Sequence, residues 1–420
     1  MMILTNFCVR PFVKISQKLL ITPVALGLLF PLFVKASEDS LSGFVNKDQL
    51  AITNSRIDTL ETRLNKLEAA SFSNITTLTG EASFQLGSVD ESVLTEAVTA
   101  TYSYDFDLNT SFTGDDNLYV GIETGNGVFG LVDFVTDNSQ GGNDTLNITS
   151  MYYSFPLGNY DLAVGPLLEN DDLMPTTISK YSDKFFMAAQ IGGLTAADFT
   201  SAPGIEGSGI AIGRTFDNGF NASASVIGMS ADTPDGFLTS DGTDTYTLSA
   251  GYDGDNFGLG FIYTGIDEAC SFFAGFQTCQ TLGLNAIEAS FVTLGAYWTP
   301  NNSKTSLSAT YGILSPEVTG VDIDDLNSFH FGIDHEFGPG VLSAAIKSQD
   351  FILFDANGAA VVVGNRVPAD SLGQYAEIYY TYFVNDSLEI RSGISFAIPD
   401  DEGVFFLDRT AVGAEATFKF

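Results

Sequence analysis

From Thr77 onward, polar and apolar residues alternate with a period of two. One parity of the first segment reads Thr77, Thr79, Glu81, Ser83, Gln85, and the other reads Leu78, Gly80, Ala82, Phe84, Leu86. Successive side chains of a strand point to opposite faces, so this spacing predicts a strand with one polar and one apolar side. The next segment repeats it, with Val98, Ala100, Tyr102, Tyr104, Phe106 and Leu108 set against Thr99, Thr101, Ser103, Asp105 and Asp107. Further copies fall at 246–252, 257–263, 307–313, 329–337, 376–382, 388–398 and 412–420. Tight-turn signals, among them Asp217-Asn218-Gly219, Asp253-Gly254-Asp255-Asn256, Thr299-Pro300-Asn301-Asn302, Gly338-Pro339-Gly340 and Asn385-Asp386, take turns with long polar stretches. The long connections are 137–144, 169–204, 228–244, 265–284 and 350–371. That sorting predicts a membrane barrel with short periplasmic turns and long outer loops. Strands of about ten residues cross a bilayer when tilted. At roughly 20 residues per strand and connection, residues 77–420 predict about 16 strands. The predicted fold class is all-β, a transmembrane antiparallel β-barrel wide enough for an aqueous channel.

Upstream the period changes. Over 46–70 glycine vanishes and a heptad appears, with Leu50, Ile57 and Leu64 at one core position and Thr53, Leu60 and Leu67 at the other. A helix this short is marginal alone, so the pattern predicts a coiled-coil oligomerisation helix and, with it, a homo-oligomer, taken as a trimer. An amphipathic helix lying on the sheet domain is the alternative. Residues 1–36 combine Arg10, Lys14 and Lys18 with an apolar run from Leu19 to Val34 broken by Pro23 and Pro31. That reads as a signal peptide followed by a linker at 37–45.

Composition narrows the function. The 420 residues carry 17 Lys plus Arg against 52 Asp plus Glu, a formal charge of -35, which excludes nucleic acid as a partner. Removal of residues 1–36 takes four bases and no acid, leaving 13 against 52, or -39. Forty-two glycines disfavour helices, and 45% hydrophobic content disfavours disorder. A mean hydropathy of +0.16 fits a sheet with one wet and one greasy face.

Cys270 and Cys279 are predicted to form a local disulfide in the exported chain, with two free thiols as the alternative. No cofactor or metal site is expected. Asp322-Ile323-Asp324-Asp325 lacks the Gly and terminal Glu of a calcium loop and reads as solvated. A hydrolase would need a His base, but His330 and His335 are five apart on one strand and so face opposite ways. A secreted acidic β-rich surface or adhesin protein is the runner-up reading. In the last strand Val412, Ala414, Ala416, Phe418 and Phe420 share one face, which looks like the terminal signature read by the outer-membrane assembly machinery.

The order of parts resembles the cyanobacterial outer-membrane porins, related to the carbohydrate-selective porin family and often named iron-uptake porins. The residues that carry the resemblance are Arg56-Ile-Asp-Thr-Leu60-Glu-Thr-Arg-Leu64, Phe72 with Thr77-Leu-Thr-Gly-Glu81, Leu108-Asn-Thr-Ser-Phe-Thr-Gly114, Met151-Tyr-Tyr-Ser-Phe-Pro156, Gly165-Pro166 with Asp171-Asp172 and Pro175, and Gly295-Ala-Tyr-Trp298-Thr-Pro300. The resemblance implies an outer-membrane porin for sugars, iron or other inorganic ions, with lipid contact and a coiled coil near the cell wall. Residues 37–45 are too few for the family's surface-layer-homology segment. Asp115-Asp-Asn-Leu-Tyr-Val-Gly-Ile-Glu123 also lacks the arginines the family tends to place there.

Passive diffusion needs no catalytic group, so selectivity falls to charges in the lumen. With apolar positions facing lipid, the lumen receives Glu81, Asp105, Asp107, Glu123, His330, Asp334, Glu336, Glu377, Glu389, Arg391, Glu415 and Lys419. This excess of acid predicts preference for cations and neutral solutes. The longest connection, 169–204, is the candidate for a loop folded into the channel, with Glu169, Asp171 and Asp172 as its constriction acids.

Overall fold

The computed structural model describes residues 75–89, 98–126, 145–181, 205–234, 236–239, 242–267, 287–318, 322–352, 366–367, 369–398 and 409–420. The signal peptide, the linker, the coiled-coil helix and the Cys270–Cys279 pair of the sequence reading lie outside the described residues. The chain divides into Met1–Ser71 and Phe72–Phe420, and every described residue belongs to the second unit.

Among the described residues eighteen strands follow one another: β1 (Thr76–Val89), β2 (Thr99–Thr110), β3 (Asn117–Gly125), β4 (Asn147–Leu157), β5 (Tyr160–Glu169), β6 (Glu206–Thr215), β7 (Phe220–Gly228), β8 (Asp244–Asp253), β9 (Phe257–Asp267), β10 (Ile287–Trp298), β11 (Thr305–Val318), β12 (Asp322–Ile323), β13 (Leu326–Phe337), β14 (Gly340–Ile352), β15 (Arg366–Val367), β16 (Ala369–Asn385), β17 (Leu388–Ile398) and β18 (Arg409–Lys419). Sixteen of them close into one barrel in which chain neighbours pair antiparallel. The other two, β12 and β15, form a small parallel pair of their own, Asp322 opposite Arg366. The barrel closes where β1 meets β18, and Gly80 and Phe420 exchange both backbone bonds at 3.0 Å.

The two faces sort as the alternation predicts. Leu78, Phe84, Leu86, Leu248, Leu259, Leu294, Ile346 and Ile378 are exposed on the outside, while Ser83, Gln85, Thr247, Ser249, Thr293, Thr310, Ser343 and Thr417 are buried inside. A protein folded for water alone would bury the first set. An outer wall of this kind is suited to hydrocarbon, and the closed sheet leaves no backbone group of a barrel edge unpaired. Among the described residues no helix is long and apolar enough to cross a membrane, which says nothing of strands.

Short connections lie at one rim. Residues 158–159, 338–339 and 386–387 are two-residue turns, and Gly158, Gly219 and Gly338 take positive φ of 65°, 88° and 60° there. Asn302 does the same at 58°. The sixteen barrel strands run from 9 to 17 residues, longer than the spacing alone suggests, because β1, β11, β14 and β16 extend into the long-loop rim. Aromatic rings gather at the short-turn rim: Tyr104, Phe106 and Phe420 pack together, as do Phe220, Tyr252 and Phe257, and Phe337 meets Tyr380.

Candidate functional site: a strap across the barrel interior

The chain does not leave the barrel at the end of β5. Bulges in the β4–β5 and β5–β6 pairings loosen the sheet there, at Met151/Tyr153 and at Gly165/Leu168. A tight turn follows, in which Glu169 N donates to Asp172 Oδ2 at 2.8 Å and Met174 N to Asp171 O at 2.8 Å. Residues 170–181 then run as a strap along the inner wall. Asn170 fixes its start, donating from Nδ2 to Thr247 Oγ1 and accepting at its carbonyl from Ser225 Oγ. Thr176 Oγ1 lies 2.8 Å from both Asn221 Oδ1 and Ser249 Oγ. Lys180 N donates to Ser308 Oγ at 3.0 Å. At the far end the Tyr181 hydroxyl donates to Glu377 Oε1 at 2.6 Å, with its ring 5.0 Å from His330 and 6.1 Å from Tyr379.

The strap lies close because the wall beneath it lacks side chains. Gly251, Gly260 and Gly295 stand opposite one another in successive pairs across β8, β9 and β10. A Cβ at Gly251 or Gly260 would come within 2.7 or 2.6 Å of the Thr176 methyl, and one at Gly295 would collide with the backbone and Cβ of Ile178. Gly332 on β13 lies directly under the Tyr181 ring. Leu173 covers Gly213 on β6 in the same way. Five hydroxyl or amide side chains, Asn221, Ser225, Thr247, Ser249 and Ser308, supply polar partners for the strap inside.

Among the described residues the strap follows the wall from β6 to β13 and reaches β16 through Tyr181. Most of the charged side chains singled out above stand on the inner faces of β17, β18 and β1–β3. Lys419, Glu81, Asp105 and Glu123 line up in successive register on β18, β1, β2 and β3. Asp107 accepts from the Tyr119 hydroxyl at 2.6 Å. Arg391 on β17 donates to Glu415 Oε1 at 3.2 Å, Glu389 Oε1 at 3.1 Å and Thr381 Oγ1 at 3.2 Å. Lys419 Nζ reaches Glu389 Oε2 at 3.0 Å, and the Gln85 amide donates to Glu415. Glu389 and Glu415 are therefore paired with two cations, Arg391 and Lys419, whereas Glu81, Asp105 and Glu123 on β1–β3 have Lys419 as the neighbouring cation of their row.

The channel acids and histidines singled out from the sequence fall among the described residues. Glu81, Asp105, Asp107, Glu123, Glu377, Glu389, Arg391, Glu415 and Lys419 are on the inward parity. Asp334 is also there, accepting from Ser343 Oγ at 2.5 Å, while Glu336 sits at the short-turn rim 3.8 Å from Lys304. Glu169, Asp171 and Asp172 stand at the base of the strap, and Glu169 pairs in register with Glu206. Burial, with Asp171's charge behind it, pushes the Asp172 carboxyl up to about 6 against the Glu169 N–H, which favours its ionised form. Burial, then the charge of Glu377, raises the Tyr181 hydroxyl far above the usual phenol range, so it stays protonated and donates to Glu377. His330 is buried inside and His335 is exposed outside, bonded to Thr305 Oγ1 at 2.9 Å, so the two rings share no site. Sequence reasoning missed Tyr119, Tyr181, Tyr379 and Lys347. The alternation of Ser343, Ala345 and Lys347 with Leu342, Ala344 and Ile346 carried the signal for Lys347, which stands opposite His330.

Among the described residues no group of three or more His, Cys, Asp or Glu side chains is placed to hold a metal ion. No family model matches the chain. A protein of Nostoc sp. (strain PCC 7120) described as uncharacterized is 25% identical over 388 residues, covering 82% of this chain. The chain spans 65% of the length of that curated relative. Among solved structures, the anion-selective porin from Comamonas acidovorans aligns with a TM-score of 0.56 and 15% identity over 82% of this chain and 99% of its own. A loop L8 deletion mutant of OmpT, an outer membrane protein of Vibrio cholerae, aligns at 0.55 with 12% identity over the same shares. At these identities the likeness is one of fold, and the fold shared is the 16-stranded antiparallel barrel of outer-membrane porins.

Proposed function

We propose that this chain is an outer-membrane porin, a water-filled channel for passive diffusion of small hydrophilic solutes and ions, and that its acidic lumen favours cations and neutral solutes. One observation carries the reading. Among the described residues the strap is seated on the inner wall from β6 to β13, and Glu81, Asp105, Asp107 and Glu123 line the inner faces of β1–β3, which supports a polar passage past these acids. The apolar outer wall supports lipid as the medium. The acid at the strap base, Glu169, Asp171 and Asp172, is assigned to attract cations to the constriction. Sugars and inorganic ions, iron among them, are the proposed cargo on the family resemblance alone. A trimer, assembly through the Phe420 strand, and periplasmic or cell-wall contact through the 46–70 helix complete the proposal. No catalytic role is assigned to it.

Liposome swelling tests the channel directly. Vesicles carrying the refolded protein are expected to swell in neutral sugars and amino acids at rates that fall with solute size. Swelling no faster than that of empty vesicles, from a protein that still shows heat-modifiable migration, would remove the channel from the account.

A further inference from the structure

Arg214 stands apart from the other bases. Lys347, Arg391 and Lys419 face the interior, Lys180 is on the strap and Lys304 is in a turn. Arg214, next to last on β6, shares the outward parity of the exposed Ile210 and Ile212. Among the described strand residues of the barrel it is the base that the outer wall carries. Its guanidinium lies 5.0 Å from the Tyr160 ring centroid and 4.3 Å from that of Phe216, and it makes no ion pair with a described carboxylate. Tyr160 and Phe216 are 44% and 39% exposed, so the three groups form one open surface feature. Tyr160 is one step beyond the Asp161–Gly213 pair on β5, and Ala222 is directly opposite Arg214 on β7. The small Ala222 leaves the guanidinium uncovered on that side. The level is that of the aromatic cluster Phe220, Tyr252 and Phe257, at the short-turn rim.

We propose that Arg214, with Tyr160 and Phe216, is a binding site for the headgroup phosphate of a glycerophospholipid. The proposal rests on the membrane reading above. An aromatic belt marks the headgroup level of a bilayer, where a guanidinium on the outer wall meets phosphate. Two ring faces hold the guanidinium plane in position by cation–π attraction, and its planar fork matches phosphate oxygens in a bidentate way that a lysine cannot. The Tyr160 hydroxyl adds a donor at the same level. With a formal charge of -35 the chain repels anions overall, so an outward cation in the belt makes a local place where an anionic headgroup is favoured.

The test uses the full chain purified in detergent, with phosphatidylglycerol added in mixed micelles and the retained lipid counted by native mass spectrometry. Arg214→Gln is expected to bind its most tightly held phosphatidylglycerol about tenfold more weakly than the unaltered protein, and Arg214→Lys to recover part of that loss. Equal retention by Arg214→Gln and the unaltered protein overturns the site. Displacement of the lipid by inorganic phosphate also overturns it, by showing an ion site rather than a headgroup site. Heat-modifiable migration and channel conductance are recorded on the same preparations. If both persist while lipid retention is equal, the lipid site alone falls; if both are absent from the unaltered protein, the membrane reading and the site fall together.

Discussion

Glu377 is 3% exposed and takes a 2.6 Å bond from Tyr181, the contact that ends the described strap. A buried carboxylate that loses a donor costs about 1–3 kcal/mol, so Tyr181→Phe is expected to loosen the strap end while leaving the barrel closed. Single-channel recordings should show more open-channel noise, and an unchanged trace would mean that the ring packing on His330 and Tyr379 alone holds the end. Asp172 supplies the pH dependence. Its folded value of about 6 lies above the ordinary carboxylate value, so the fold disfavours its charge. The cost is fully present above about pH 6 and disappears as pH falls below the ordinary value, and the charge itself vanishes over the same window. Cation preference is therefore expected to drop between pH 7 and pH 5, and Asp172→Asn to flatten that drop. A drop of the same size in Asp172→Asn would place the titrating group elsewhere.

The strap depends on three glycines in register, and its seat should fail when one gains bulk. Gly295→Val is expected to lift the strap from β10, because the backbone of Ile178 occupies the space a Cβ needs. Lifting moves the strap off β10 into the lumen and should lower conductance; Gly265→Val, whose Cβ would meet the Tyr246 ring on the outer face, serves as the comparison. Equal conductance in both variants would detach the glycine row from the strap. The strands themselves were legible from sequence because each faces two different solvents, which writes a period of two into residues such as 77–86 and 98–108. The turns were legible from Gly219, Asn302 and Gly338, where positive φ restricts the residue type. The strap was legible only as a long connection opening on Glu169, Asp171 and Asp172. Its route was not, because it is set by the coincidence of Gly251, Gly260 and Gly295, which are far apart in sequence and meet only once strand register is known. Tyr181 escaped notice for the same reason: nothing near it in sequence names Glu377 as its partner.

At the scale of the whole barrel, bulk and charge are unevenly spread. Glycine, hydroxyl and amide groups form the seat of the strap, with acids at its base, and most of the charged side chains named above stand on β17, β18 and β1–β3. A chain of such acidity keeps its few interior bases where they hold acids in place, as Arg391 does between Glu389 and Glu415. Arg391→Gln should thus act twice: it leaves two acids short of a cation, raising cation preference, and it lowers the thermal midpoint by breaking a network worth about 3–5 kcal/mol when one buried partner is removed. A variant with a lower midpoint and unchanged selectivity would confine Arg391 to a structural part. The central claim is that permeating ions pass along the row Glu81, Asp105 and Glu123. The most direct test is the reversal potential of single channels in a potassium chloride gradient at pH 7. The account predicts a potential displaced toward that of the cation, reduced when those three acids are replaced by their amides. A potential displaced toward that of the anion would contradict it.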